Sequence, residues 1–149
     1  MRSIPSHRAR RSATAACARN FGSPFAAVFS VPRTTLEITR GVIGVFASSA
    51  KVHRGFCSVC GTPLTISFIP SENINIAIAS LDEPHRVQPA AQYGVESRLS
   101  WTDDIAALPA HTTDESFADY LTVYDEIKAT NHQHPDHDTA EWPPGERPR

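Results

Sequence analysis

In the stretch "NINIAIAS", residues 73–80, isoleucine takes every second position. A period of two sets Ile74, Ile76 and Ile78 on one face of an extended strand. Similar short runs lie upstream. "GSPFAAVFSVP", Gly22 to Pro32, is a turn followed by an apolar run that stops at a proline, which suits a strand buried on both faces. "TLEITRG" alternates Leu36 and Ile38 with polar neighbours and reads as a half-buried strand ending at Gly41. "VIGVFASS" reads as a strand whose internal glycine suggests a bulge, and "PLTISFIP" and "AQYGVES" add two more. Short strands separated by Gly, Pro and Ser turns, with no strand–helix–strand rhythm, predict a mainly antiparallel β domain over roughly residues 21–105.

After Pro109 the pattern changes. Thr112 followed by Glu115 has the spacing of a capping box, and Phe117, Leu121, Tyr124 and Lys128 then fall on one helical stripe. A single helix over 112–130 is expected. Residues 131–149, "NHQHPDHDTAEWPPGERPR", carry four prolines and little that is apolar besides Trp142, and predict a disordered tail. His132, His134 and His137 lie in that tail, where a solvated histidine cluster is commoner than a metal site.

Charge is uneven along the chain. Arg2, Arg8, Arg10, Arg11, Arg19 and Arg33 precede the first acid, Glu37, and all 16 acids follow. A basic lead-in on an acidic body raises nucleic-acid binding. The lead-in has no interleaved aromatics and no groove-reading helix, so no nucleic-acid partner is expected. Residues 1–16 read as an unstructured basic lead-in. Three origins stay open for it: an organellar transit peptide, a plain disordered extension, or text that does not start at the native codon. No run approaches the ~18 apolar residues of a membrane span, so a soluble protein with no membrane partner is expected. Three cysteines, two of them close together, do not make a disulfide framework. They point to a reducing, cytoplasmic setting with thiols kept for metal or redox work.

Those two are Cys57 and Cys60 in "RGFCSVCGTPL". A tight turn in C-S-V-C-G can aim both sulfurs at one point, and Gly61 supplies the positive φ with which such a turn leaves a metal. A redox C-x-x-C is expected at the start of a helix. Here the strand-like "PLTISF" follows, so zinc is the better reading. A closed zinc site takes four ligands, and this stretch offers two.

The order and spacing of further blocks resemble one family. "FASSAKVHRGFCSVCGTPL", then "IAIASLDEP", then "SRLSW" and "LPAH", with "GSPFAAVFSVP" upstream, are similar to the glutathione-dependent formaldehyde-activating enzymes and their centromere-protein-V-like relatives, over roughly residues 17–111. The resemblance implies an Mss4-like compact antiparallel β fold with two zinc sites. It also implies carbon–sulfur lyase chemistry on glutathione adducts, as in joining formaldehyde to the glutathione thiol. Carried over residue by residue, Cys57 and Cys60 match the C-x-x-C of the structural zinc site. Cys17, five residues before Gly22, matches the third cysteine of the catalytic C-x-C-x-x-C triplet, whose other two positions are here Ser12 and Thr14. The family's N-terminal C-x-C has no counterpart. The resemblance therefore implies impaired chemistry, or an inactive member that acts as a non-enzymatic metal-binding or interaction domain.

Several other residues invite a sharper and a plainer reading. Cys17 is a catalytic ligand or a spare thiol, and the loss of its partners favours the thiol. His53 is a substitute zinc ligand or a surface histidine on a strand. Arg54 is a receptor for a glutathione carboxylate or the partner of one of the body's acids. Asp82 and Glu83 look like an acid–base pair but sit where a turn before Pro84 is expected. Trp101 is expected in the core rather than at a substrate surface. With residues 1–16 unstructured, the sheet would lack the family's first strand and keep an open edge, which predicts a tendency to form homo-oligomers or aggregates.

Overall fold

The computed structural model describes residues 10–13 as backbone, and 23–39 and 41–131 in full. Its contacts divide the chain into two units, Met1–Leu99 and Ser100–Arg149. The described part of the first unit is mainly β. Seven strands, β1 (Arg10–Ala13), β2 (Ala26–Pro32), β3 (Ile43–Ser49), β4 (Val52–Cys57), β5 (Pro63–Phe68), β6 (Asn73–Ala77) and β7 (Ala91–Tyr93), form a sheet in the order β3-β4-β5-β6-β2-β1-β7. Every neighbouring pair is antiparallel except β1 and β7, which run parallel.

Both faces of the sheet carry apolar side chains, because β2 supplies them in both directions. Ala26 and Val28 point to one face, where they pack with Ile66 of β5 and the half-buried Val52 of β4. Phe29 and Val31 point to the other and meet Ile78 and Val87, with Ile74, Ile76 and Leu81 against them. The isoleucine alternation is thus used as expected. The strand ends at Ala77, yet Ile78, the first residue of a 3-10 turn, still reaches the same cluster. The turn and loop over 78–87 form the lid on that face. There Glu83 accepts from Arg86 at 2.5 Å across one turn, so Glu83 is a loop-closing ion-pair partner and not half of an acid–base pair.

Three sequence expectations change. The "TLEIT" segment is not a strand; residues 36–39 follow a 3-10 turn at Arg33–Thr35 and pair with nothing regular among the described residues. Alternation states a local preference, and without a partner strand it does not make a strand. Within the stretch read as an unstructured lead-in, Arg10–Ala13 forms β1, which lies between β2 and β7. The edge of β2 expected to stand open is therefore covered, with Ser12 opposite Ala27, and the outer strands are β3 and β7. Finally, the irregularity in β3 falls between Ala47 and Ser49 rather than at Gly44. Gly44 instead lies under the ring of Phe56, whose Cε2 and Cζ would be 2.7 Å from any added Cβ.

The second unit holds the expected helical segment. It begins at the capping box, where the Glu115 N–H donates to Thr112 Oγ1 at 3.2 Å and the Thr112 N–H donates to Glu115 Oε2 at 2.6 Å. The segment is not continuous: α1 (Thr113–Ser116) gives way to a 3-10 turn at Ala118–Tyr120 before α2 (Leu121–Ala129). Phe117 and Tyr120 leave helical dihedrals there. The Phe117 ring stacks on Tyr124 at 5.0 Å, and Lys128 Nζ sits 3.9 Å over the other ring's centroid. Trp101 is 53% exposed in its own 3-10 turn and is not a core residue. Among the described residues no helix is long and apolar enough to cross a membrane. The expectations for His132, His134, His137 and the rest of the tail lie outside the described residues.

Two outcomes follow from these contacts. An added Cβ at Gly55 would run into Thr65 Oγ1 and come within 2.9 Å of Ile43 Cγ2 on the opposite side. Gly55→Ala is expected to lower stability in urea unfolding by about 1–3 kcal/mol, as overpacked sites do. In the capping box the Thr112 backbone N–H, and then its hydroxyl, hold the Glu115 carboxyl below the ordinary carboxylate range. The box therefore adds stability above the unfolded-state value of about 4.3 and loses it as pH falls through the lower folded value. The Thr112 amide resonance should titrate in NMR with a midpoint below that of a free glutamate.

Candidate functional site

Strand β4 ends on Cys57, and the chain turns back at once into β5 at Pro63. Two main-chain bonds shape the turn. The Gly61 N–H donates to the Cys57 carbonyl at 2.8 Å, and the Cys57 N–H donates to the Thr62 carbonyl at 2.9 Å. Gly61 has φ of +77°, the left-handed conformation expected of the residue that carries the chain away from a metal knuckle. A third bond, from Ser58 Oγ to the Val42 carbonyl at 3.3 Å, ties the turn to the segment before β3.

This geometry gathers both sulfurs. Cys57 and Cys60 are half-buried and stand three residues apart in the turn that the Gly61–Cys57 main-chain bond closes. Cys60 Sγ and Thr62 Oγ1 are 3.0 Å apart, a bond that either group can donate. Partial burial pushes the Cys60 thiol up; hydrogen bonds from the Thr62 hydroxyl and N–H, and from Cys57, outweigh it and leave the thiol below its ordinary value. Thr62 is a contact of Cys60 that the sequence reading passed over. Its signal was its place directly after the glycine, where the returning strand faces the sulfurs.

Other candidates are distributed elsewhere. His53 lies four residues before Cys57 on β4, roughly 13 Å away along an extended strand. That distance rules it out as a third ligand at the knuckle. It lines an open cleft at the other end of the sheet with Arg33, Ser67, Pro70 and Glu72. Arg54 is only 7% exposed, on the opposite face of β4, and pairs across the sheet with Phe46 and Ile66. It belongs to the interior and is not a surface receptor for a glutathione carboxylate. Cys17 and Thr14 lie outside the described residues, and Ser12 is known only by its place in β1.

Two converging thiols on a tight knuckle fit half of a tetrahedral zinc site. Among the described residues no three His, Cys, Asp or Glu side chains converge so as to hold a metal ion. The family model for the glutathione-dependent formaldehyde-activating enzyme matches residues 7–97, more than half of the chain. The chain belongs to that family. The match takes in β1 through β7 and the knuckle, and begins ten residues ahead of the blocks by which the sequence resembles the formaldehyde-activating enzymes. Comparison with curated proteins and with solved structures finds no match. Glutathione-dependent formaldehyde activation is thus the family-level function.

Replacing the left-handed glycine tests the knuckle. Gly61→Ala has no steric obstacle, since nothing lies within 4 Å of an added Cβ. Its cost should come from the backbone alone, about 1–2 kcal/mol in urea unfolding. Gly61→Asn should cost less, because asparagine tolerates that conformation.

Proposed function

We propose that this chain is a zinc-dependent carbon–sulfur lyase of the formaldehyde-activating type, working in the cytoplasm on glutathione adducts, with chemistry weakened relative to a full ligand set. The observation that supports it is the Cys57–Cys60 knuckle, a closed turn ending on left-handed Gly61 and carried by a family-matched sheet. Cys57 and Cys60 would hold two positions of a structural zinc, and Cys17 would contribute to a catalytic one. A zinc with an open position supplies Lewis acidity and a place for a thiolate. The knuckle's own residues prepare the sulfurs: Gly61 fixes the turn, and Thr62 offers a hydroxyl to Cys60. In the reaction a glutathione sulfur bonds to the formaldehyde carbon. The carbonyl π pair moves to oxygen, which takes up the proton that the thiol gave up. The reverse reaction breaks the same carbon–sulfur bond.

One observation favours a second reading. The described residues bring two sulfurs together and no third ligand. A non-enzymatic metal-binding or interaction domain on the same fold meets that condition with less.

Zinc per chain and adduct formation separate the two. One equivalent of zinc or more, with S-hydroxymethylglutathione formed above the spontaneous rate and lost in Cys17→Ser, supports the lyase. Zinc that disappears in Cys57→Ser/Cys60→Ser, with no rate above background, supports the binding domain. Essentially no zinc and no rate overturns both the lyase and the metal-binding domain. Light scattering on the same samples reports whether the chain forms homo-oligomers.

A further inference from the structure

The knuckle has a second chemistry open to it. Its turn is closed by the Gly61 N–H on the Cys57 carbonyl, a single helical turn in which the Cα atoms of residues three apart, here the two cysteines, lie roughly 5 Å from each other. A disulfide needs roughly 4.4–6.8 Å between the same atoms. The bonds that shape the turn, Gly61 N–H to Cys57 carbonyl and Cys57 N–H to Thr62 carbonyl, run through the main chain and leave the sulfurs uncommitted. Joining the sulfurs would give up one contact, the 3.0 Å bond between Cys60 and Thr62. Both cysteines are partly exposed, so a small disulfide can approach either of them from solvent.

We propose that Cys57 and Cys60 form a dithiol that exchanges with glutathione disulfide and closes into an intrachain disulfide. The chemistry balances in two steps. One cysteine thiolate attacks a sulfur of glutathione disulfide, a protein–glutathione bond forms, and one glutathione thiolate leaves. The second cysteine then attacks the protein sulfur of that mixed disulfide, and the other glutathione leaves. Two cysteine sulfurs are oxidised, one glutathione disulfide is reduced to two glutathiones, and the two thiol protons pass to the departing thiolates through solvent.

The second step is what the fold adds. On an unstructured chain the mixed disulfide persists until a thiol finds it. In the knuckle the resolving cysteine is held three residues away in the same closed turn. The oxidised pair has no thiolate left to offer a metal, so the same two residues alternate between a dithiol that fits half a zinc site and a disulfide that does not. The proposal rests on the turn and not on the lyase reading, and it holds for either function above.

The test uses the full-length protein as purified, equilibrated in mixtures of reduced and oxidised glutathione, quenched in acid and digested with trypsin. Peptide 55–86 contains Cys57 and Cys60 and excludes Cys17. The expected product is that peptide with two hydrogens lost and no glutathione retained. Cys57→Ser and Cys60→Ser should each retain one glutathionyl group on the remaining cysteine. In urea, the wild-type chain should need about tenfold more glutathione disulfide to reach the same extent of closure, if folding supplies the proximity. A wild-type peptide that keeps glutathione on either cysteine overturns the proposal. So does one that stays reduced in mixtures that modify the single-cysteine variants, or one that closes equally well in urea. Zinc measured on the same sample before oxidation reports separately on the lyase reading.

Discussion

Close pairing of β4 with β5 is the constraint on which the rest depends. The two strands are joined through residues 58–62 alone, so their register decides where the two cysteines go. Opposite Gly55 the Thr65 hydroxyl approaches so near that no side chain fits. Just beyond, between Gly55 and Phe56, the register shifts, and Phe56 pairs with Pro63. The unpaired extra residue is Leu64, so the bulged and more strongly twisted strand is β5, opposite the end of β4. On the far side of β4, Phe56 lies across Gly44 of β3. Two glycines, one on each of two adjacent strands, thus let three strands come together behind the knuckle.

The same strand shows why a buried arginine does not contradict a β core. Arg54 alternates with His53 and Gly55, and the pleat sends it to the face that carries Ile66. A long aliphatic stem can pack there along apolar neighbours. The alternation also explains how His53 and Arg54, adjacent in sequence, end on opposite sides of the sheet. Both looked like companions of the cysteines in a linear reading, and neither is near the sulfurs.

Much of the fold could be read from residue patterns, and the failures have physical reasons. The isoleucine alternation, the apolar run of β2 and the Thr112–Glu115 cap each state a local preference that the structure keeps. Strands β1 and β4 were missed because "RRSA" and "VHRGFC" have no apolar alternation. Their extended state is imposed by neighbours that already have open edges. "TLEIT" is the opposite case, a pattern that no partner strand takes up. Of the candidate site, the turn chemistry of Cys57, Cys60 and Gly61 was readable because it is local. The distance from His53, the burial of Arg54 and the role of Thr62 were not, since each depends on which strand lies alongside which.

One consequence lies in the order in which the chain is made. β1 pairs with β2, the next strand in the chain, but its other neighbour is β7, roughly eighty residues later. During synthesis, β1 through β6 can pair antiparallel, with β2 closing on β6 rather than on β3, while one flank of β1 stays bare. That flank is filled only when residues 91–93 emerge, by a parallel pairing that spans nearly the whole unit. The last strand to be made therefore seals the first, and the sheet is complete only once nearly all of the family-matched segment has left the ribosome.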